Sequence, residues 1–258
     1  MTMQLAQQLW TARTNGTVLD MSTIEVPGDE NSAYEIQKKV SQVSNTNIIG
    51  FKVGSTTEAG IRALNLSEPF HGPLLDRFCH HHGDKVPLSS QHRVLIETEI
   101  AVGLGKDLPA RELDYDQQDI EVATAWIAPA FELVATRFDI ELAGNGKLLI
   151  ADGGVNADFV LGDNVTDWTE VELSKHPVTL QINDQQVASG HSGMSMFGHP
   201  FRVVAWLANH CTLQERGLKA GDIISTGTCT GMTPLHTEDC ASADLGALGT
   251  LRMQLVTT

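Results

Sequence analysis

The sequence predicts an α+β fold, with a helical N-terminal region followed by a β-rich core, in one domain over residues 1–258. Three observations lead there. Apolar residues recur at helical spacing early in the chain, with Leu5, Leu9 and Ala12 on one stripe and Ala33, Ile36, Val40 and Val43 on another. After "NIIGFKVGS" the texture changes to short alternating segments separated by Gly, Asn and Asp. Strand-like segments therefore follow helix-like ones, which is the order of an α+β domain and not of a doubly wound sheet. The helical region occupies about 1–75 and the β-rich core about 76–258, with no repeat, low-complexity tract or Pro/Ser-rich linker between them.

Along the chain, Ser32 and Glu35 have the Ser-x-x-Glu spacing of a capping box, in which each side chain satisfies a free backbone N–H, so a helix is expected to open there. "VLIETEIAVGL", "KLLIADGG", "DFVLGD", "VTLQIN", "QQVASG", "GDIISTG" and "TLRMQLV" read as strands. Asn183 and Asp184 supply the turn of a hairpin. "PFRVVAWLANHC" carries Phe201, Val204, Ala205, Leu207 and Ala208 at helical spacing, so one helix is expected to pack on the sheet.

Composition excludes several classes of function. The longest apolar runs, "VVAWLA" and "WIAPAFELVA", fall short of the ~18 to 20 residues that span a bilayer, and "MTMQLAQQLW" lacks the basic start of a signal peptide, so a cytoplasmic protein is expected. A net charge of -15 argues against nucleic acid and anionic membranes as partners. An anionic substrate would need a local cation. Cys79, Cys211, Cys229 and Cys240 show no C-x-x-C spacing and read as ordinary thiols of a reducing compartment. In "CHHHGDK" at 79–85 consecutive histidines cannot all face one ion, and the flanking Gly and charges indicate a surface loop. "GLGKDLP" has Leu108 where a dinucleotide loop needs its third glycine, and "GNGK" lacks the length and hydroxyl of a phosphate loop. "GHSGM" has Met194 where a nucleophile elbow needs glycine and follows a hairpin, which argues against Ser192 as a nucleophile.

The informative feature is a pair of glutamates in an apolar strand. In an extended "VLIETEIAVGLG" segment, Glu97 and Glu99 share a face with Leu95, Ala101 and Gly103, roughly 6.6 Å apart along the backbone. Two carboxylates that close cannot both be buried and charged without a cation, so either they are wet or they hold a metal. Glu132 lies in "APAFELVATRF", again among apolar residues. Three carboxylates with no nearby His or Cys favour a hard ion, Mg²⁺ or Mn²⁺.

Seven blocks resemble, in order and nearly end to end, the 2-keto-4-pentenoate hydratase and 4-oxalocrotonate decarboxylase group of the fumarylacetoacetate hydrolase superfamily: "AYEIQKKV", "GFKVGSTTEAGIRALNL", "IETEIAVGLGKDL", "PAFELVATRF", "IADGGVNADFVLG", "HPFRVVAWLANH" and "LKAGDIISTGTCTG". The resemblance implies a fumarylacetoacetate hydrolase-like mixed β-roll core, a divalent metal held by Glu97, Glu99 and Glu132, small-molecule 2-keto acid substrates and a homo-oligomer. It further implies a hydratase-type lyase acting on a 2-keto-4-enoate, or 2-hydroxydienoate, through a metal-bound dienolate, as in aromatic meta-cleavage catabolism. Decarboxylation of 4-oxalocrotonate type, C–C hydrolysis of acylpyruvates and a non-catalytic scaffold are the alternatives.

Lys52 matches the group's lysine, as a partner for the substrate carboxylate or a proton carrier, and Asp76 is a second candidate for proton transfer. Arg137 is expected to pair with one of the carboxylates. Leu64 falls at a pocket-lining position. Phe70 stands in "PFHG" where the group usually carries an acid, and Val155 in "DGGV" where it usually carries a serine. Both are expected to make the substrate pocket apolar. A shift by one residue would instead bring His71 and Asn156 into those roles.

Overall fold

In the computed structural model, which describes residues 2–88 and 93–257, the two N-terminal stripes are helices. α1 (Thr2–Asn15) buries Leu5, Ala6, Leu9 and Ala12, and α2 (Glu30–Ser44) buries Ala33, Tyr34, Ile36 and Val40. α2 begins before the expected capping pair. Asp29 is its N-cap, accepting from the Ser32 N–H at 2.7 Å and from the Ser32 hydroxyl at 2.6 Å. A carboxylate suits the positive end of the helix dipole, and Ser32 becomes part of the first turn.

β1 (Ile48–Gly54), α3 (Glu58–Leu64) and β2 (Phe70–Leu75) follow, so two strands lie within the first 75 residues. Next come β3 (Cys79–His81), β4 (Lys85–Leu88), β5 (Val94–Leu104), α4 (Gln117–Ala123) and β6 (Thr124–Val134). β5 and β6 form a long antiparallel ladder in which Gly103 faces Trp126. A Cβ on Gly103 would lie 2.0 Å from the Trp126 ring, so only glycine admits the indole there.

"KLLIADGG" is not a strand. Its apolar run forms the short helix α5 (Gly146–Ala151), with Leu148, Leu149, Ile150 and Ala151 all buried. A short apolar run buried all round has no period to separate helix from strand, and here α2 and the large sheet enclose it.

The remaining elements are β7 (Asn156–Leu161), β8 (Pro177–Ile182), β9 (Gln185–His191), α6 (Pro200–Asn209), β10 (Ile223–Thr228), β11 (Thr233–Leu235), β12 (Cys240–Asp244) and β13 (Thr250–Thr257). Asn183 and Asp184 join β8 to β9 with φ of 50° and 62°, the left-handed pair that matches strand twist in a tight hairpin. α6 starts at Pro200, capped by His199, and buries the predicted stripe.

The described residues form two mixed sheets, one ordered β2-β1-β10-β5-β6-β7-β3 with β11 on β5, the other β4-β13-β12-β8-β9. Ile96, Ile100, Phe131, Leu180, Val204 and Leu251 pack together in the main core. A second cluster under α1, α2 and α5 includes Leu9, Ile36, Phe138 and Ile150 and reaches Phe70 on β2. No helix among the described residues is long and apolar enough to cross a membrane. The cysteines are free.

Arg137 does not pair with the predicted carboxylates. Its Nε donates to Asp152 at 2.6 Å, and its Nη1 donates to the carbonyls of Ala135 at 2.8 Å and Asn156 at 3.2 Å, all buried. The backbone turns away after β6, which carries Arg137 to the end of α5 and holds that segment against the start of β7. Asp152→Ala leaves this guanidinium buried without its counter-charge. A loss of about 3–5 kcal/mol in urea unfolding is expected, and unchanged stability would show that the pair contributes nothing.

Candidate active site

The β5–β6 register sets Glu97 directly across from Glu132, and Glu99 stands two residues along the same face. One oxygen from each of the three lies within 4.8 Å of the others. The face is dry: Glu99 and Glu132 are both 0% exposed. Glu97 is half-buried because it opens on a cavity of about 210 Å³.

The hydrogen bonds account for only part of these carboxylates. Glu99 Oε2 accepts from the Ser225 hydroxyl and from the Gly227 N–H at 2.9 Å. Glu132 Oε1 accepts from Lys52 Nζ at 3.2 Å and from Asn156 Nδ2 at 3.2 Å. Glu99 Oε1 and Glu132 Oε2 are buried and meet no partner among the described residues. Such atoms are costly unless something else satisfies them, and three all-oxygen groups suit a hard divalent cation.

Charge leads to the same requirement. If all three carboxylates ionise against one lysine, the cluster carries a net charge of about -2, which a divalent ion would cancel. Burial first, and then the charge of Glu132, pushes Glu97 up to about 7, while Lys52 and the Thr228 hydroxyl oppose the shift. Although Glu97 opens on the cavity, the dense protein around it keeps desolvation as the largest cause. Burial, with Glu132 and Glu97 next, holds Glu99 well above the usual carboxylate range. Burial also raises Glu132, against the pull of Lys52 and Asn156.

The structure brings together most of the residues singled out in the sequence. Lys52 is not a surface lysine: its side chain is 2% exposed, and its Nζ lies 4.8 Å from the centroid of the Phe70 ring. Leu64, Phe70 and Val155 line the cavity, with Leu142, Leu149 and Met232. β2 approaches the turn before β7 so closely that a Cβ on Gly72 would lie 2.1 Å from the Gly153 carbonyl, and this contact brings Val155 beside Phe70.

Asp76 is not at the site. It is exposed at the far end of β2 from Phe70, because a strand of that length carries its two ends well apart. His71 points away from Phe70, as neighbours on a strand must, and lines a separate cleft of about 480 Å³ with Tyr34 and Phe51. Asn156 does reach the carboxylates. Ser192 is buried and holds a turn, accepting from the His176 N–H at 3.0 Å. His80 bonds Asp158 at 2.8 Å.

Ser225, Gly227 and Thr228 support the site without having been singled out. Their signal was the polar end of "GDIISTGT", where a bulge in the β10–β5 pairing frees backbone and hydroxyl donors for Glu99. Arg13 of α1 had no sequence signal. It donates to the Ala157 carbonyl at 2.7 Å and lies 3.5 Å from Asn156 Oδ1, which leaves the Asn156 amide nitrogen facing Glu132.

Glu97 titrates near 7 when folded but near the ordinary 4.5 when unfolded. Between those values the folded chain holds more protons, so this group's contribution to stability falls as pH rises through the window. With a chelator present, Glu97→Gln is expected to gain on the wild type between pH 4.5 and 7, by on the order of 2 kcal/mol in urea unfolding after discounting for the opening on the cavity. A difference independent of pH would refute the shift.

Comparison with known proteins fits this geometry. The family model described as Fumarylacetoacetate (FAA) hydrolase C-terminal matches residues 77–256. The 2-keto-4-pentenoate hydratase of Burkholderia vietnamiensis is 29% identical over 255 residues, covering 96% of this chain and 95% of that protein. The 2-hydroxyhexa-2,4-dienoate hydratase of Comamonas testosteroni is 31% identical over 223 residues, covering 84% and 81%. The solved structure of 4-oxalocrotonate decarboxylase from Pseudomonas putida G7, complexed with magnesium and adipate, has a TM-score of 0.88 at 24% identity, covering 99% of this chain and 97% of that one. The expected mixed β-roll architecture is therefore present, and the chain belongs to the fumarylacetoacetate hydrolase family.

Proposed function

We propose that the chain is a divalent-metal-dependent hydratase-type lyase that adds water to a short 2-keto-4-enoate, with Glu97, Glu99 and Glu132 holding Mg²⁺ or Mn²⁺. The carrying observation is the carboxylate triad, with one oxygen each of Glu99 and Glu132 buried and unpartnered and with Glu97 opening on an otherwise largely apolar cavity. Relatives named as hydratases of 2-keto-4-pentenoate and 2-hydroxyhexa-2,4-dienoate support the substrate class. The bound ion supplies a Lewis acid for the negative charge that gathers on the keto oxygen of a 2-keto acid.

The chain's own residues do the rest. Lys52, anchored on Glu132, offers its ammonium to the substrate carboxylate or carries a proton at the same end of the cavity. Ser225, Gly227 and Asn156 keep the carboxylates in place. Leu64, Phe70, Leu142, Leu149, Val155 and Met232 offer apolar surface to the substrate tail and favour one without charge, since a second carboxylate would be desolvated among them. The reading includes a small-molecule substrate and a homo-oligomer, with exposed Val187, Met194 and Met196 available for another copy to cover.

A second reading is decarboxylation of a 2-keto-3-enedioate. Phe70 and Val155 favour it, because both line the cavity where a hydratase of this group carries an acid and a serine. Mg²⁺ at about 100 times its Kd is expected to raise the melting temperature by roughly 5 °C, and Glu97→Gln with Glu99→Gln to abolish the rise. Mass spectrometry separates the reactions: a product heavier by one water from 2-hydroxydienoates supports hydration, and one lighter by CO₂ from 4-oxalocrotonate supports decarboxylation. If neither product forms, both readings fail.

A further inference from the structure

The cavity that Glu97 opens on is small, and a second cleft, of about 390 Å³, shares the wall residues Val134 and Leu142 with it. We propose that these two side chains form the partition that sets how long a substrate tail the enzyme takes, with Leu142 as the residue that decides the limit. The inference rests on the hydratase reading and adds to it a bound on the substrate's chain length.

Strand register gives the tail its direction. Glu97 pairs with Glu132 across β5 and β6, and two residues further along, on the same face, Leu95 pairs with Val134. Side chains two apart on a strand lie roughly 6.6 Å from one another, so a 2-keto acid held at the carboxylates meets this apolar step within the reach of a short alkyl chain. Val134 lines the cavity and the second cleft, and Leu95 lines the second cleft. In the opposite direction the same face continues to Ala130 and Ala101, which are fully buried, so that end is closed.

The partition is held in place by packing and by the backbone. Val134, Leu149 and Val155 form one apolar cluster, and Leu64, Leu95 and Leu142 pack against it. Leu142 is only half-buried despite that packing, which fits a side chain with open space on two sides. Its loop is fastened to the cavity's own lining: the Gly144 N–H donates to the Ala63 carbonyl of α3 at 2.8 Å, and the Asn145 N–H donates to the Leu142 carbonyl at 3.2 Å. Val134 is fixed within β6, whereas Leu142 comes from outside the sheet and can change size without disturbing a strand.

The space beyond the partition does not suit a charged tail. Arg93 at the second cleft is already paired with Glu141 at 2.8 Å, and Asp139 adds a negative charge. A longer tail admitted past Leu142 is therefore alkyl and not a second carboxylate. One methylene more or less in an apolar pocket changes kcat/KM by roughly 10- to 200-fold, so a single leucine is enough to set the limit.

The test measures kcat/KM for hydration of unbranched 2-hydroxydienoates of increasing alkyl tail length by the Mg²⁺-loaded wild type, Leu142→Ala and Leu142→Phe. Wild-type kcat/KM is expected to fall at least about ten-fold once the tail reaches the partition. In Leu142→Ala the ratio of long-tail to short-tail kcat/KM is expected to rise at least about ten-fold, and in Leu142→Phe to fall. A truncation that merely loosened the fold would lower kcat/KM for every substrate and leave that ratio where it was. A wild type indifferent to tail length, or an unchanged ratio in Leu142→Ala, overturns the role of Leu142 and leaves the hydratase reading standing. Absence of hydration of any of these substrates by the wild type overturns both.

Discussion

Three carboxylates crowd together around the Lys52 ammonium, largely out of water, and the balance of charge there constrains the surrounding structure. Glu132 cannot lie 0% exposed without Lys52 beside it, and Lys52 cannot be buried without Glu132. The pair cancels only part of the charge, so Ser225, Gly227 and Asn156 bring donors to the oxygens they can reach. The buried oxygens left over are the atoms through which a divalent ion would couple to the fold. Folding and ion binding then become linked, because the ion relieves repulsion that the folded chain otherwise carries.

The cavity combines two kinds of lining. Lys52 and Glu97 bring charge to it, and Leu64, Phe70, Leu142, Leu149, Val155 and Met232 give it aliphatic and aromatic surface. That combination suits a 2-keto acid, whose oxo and carboxylate groups need charge and whose uncharged tail needs apolar contact. It also explains how a chain with a net charge of -15 can attract an anion. The attraction is local, set by Lys52 and the proposed ion over a few ångströms, and does not depend on the average field.

The site is assembled from both parts of the chain. The segment matched by the family model, 77–256, contains Glu97, Glu99 and Glu132. Lys52, Leu64 and Phe70 come from the preceding residues, through β1, α3 and β2. Because β1 lies between β2 and β10 in the large sheet, Lys52 is positioned by the same hydrogen-bonded ladder that positions Ser225 and, through β5, Glu99. α1 contributes from behind, its Arg13 holding the start of β7 where Asn156 meets Glu132. Variation in the N-terminal part can therefore change the substrate-facing surface while the carboxylates stay in place.

The sequence alone determined the features that follow from short-range periodicity and chain chemistry. Helical stripes located α1, α2 and α6, left-handed turn residues located the β8–β9 hairpin, and strict alternation put Glu97 and Glu99 on one face. The apolar setting of Glu132 marked it as a third carboxylate, and family resemblance added Lys52. Where local pattern was ambiguous it misled: the apolar run of α5 looked like a strand, and Ser32 looked like a cap although Asp29 takes that position. Only the tertiary structure decided which face of β2 meets the cavity, so that Phe70 enters it and His71 does not, and why Arg137 serves Asp152. The partners of Glu99 on β10 and the reach of Arg13 from α1 were likewise hidden. Each depends on the register and closure of strands distant in sequence, and no local pattern of residues encodes the pairing of one strand with another.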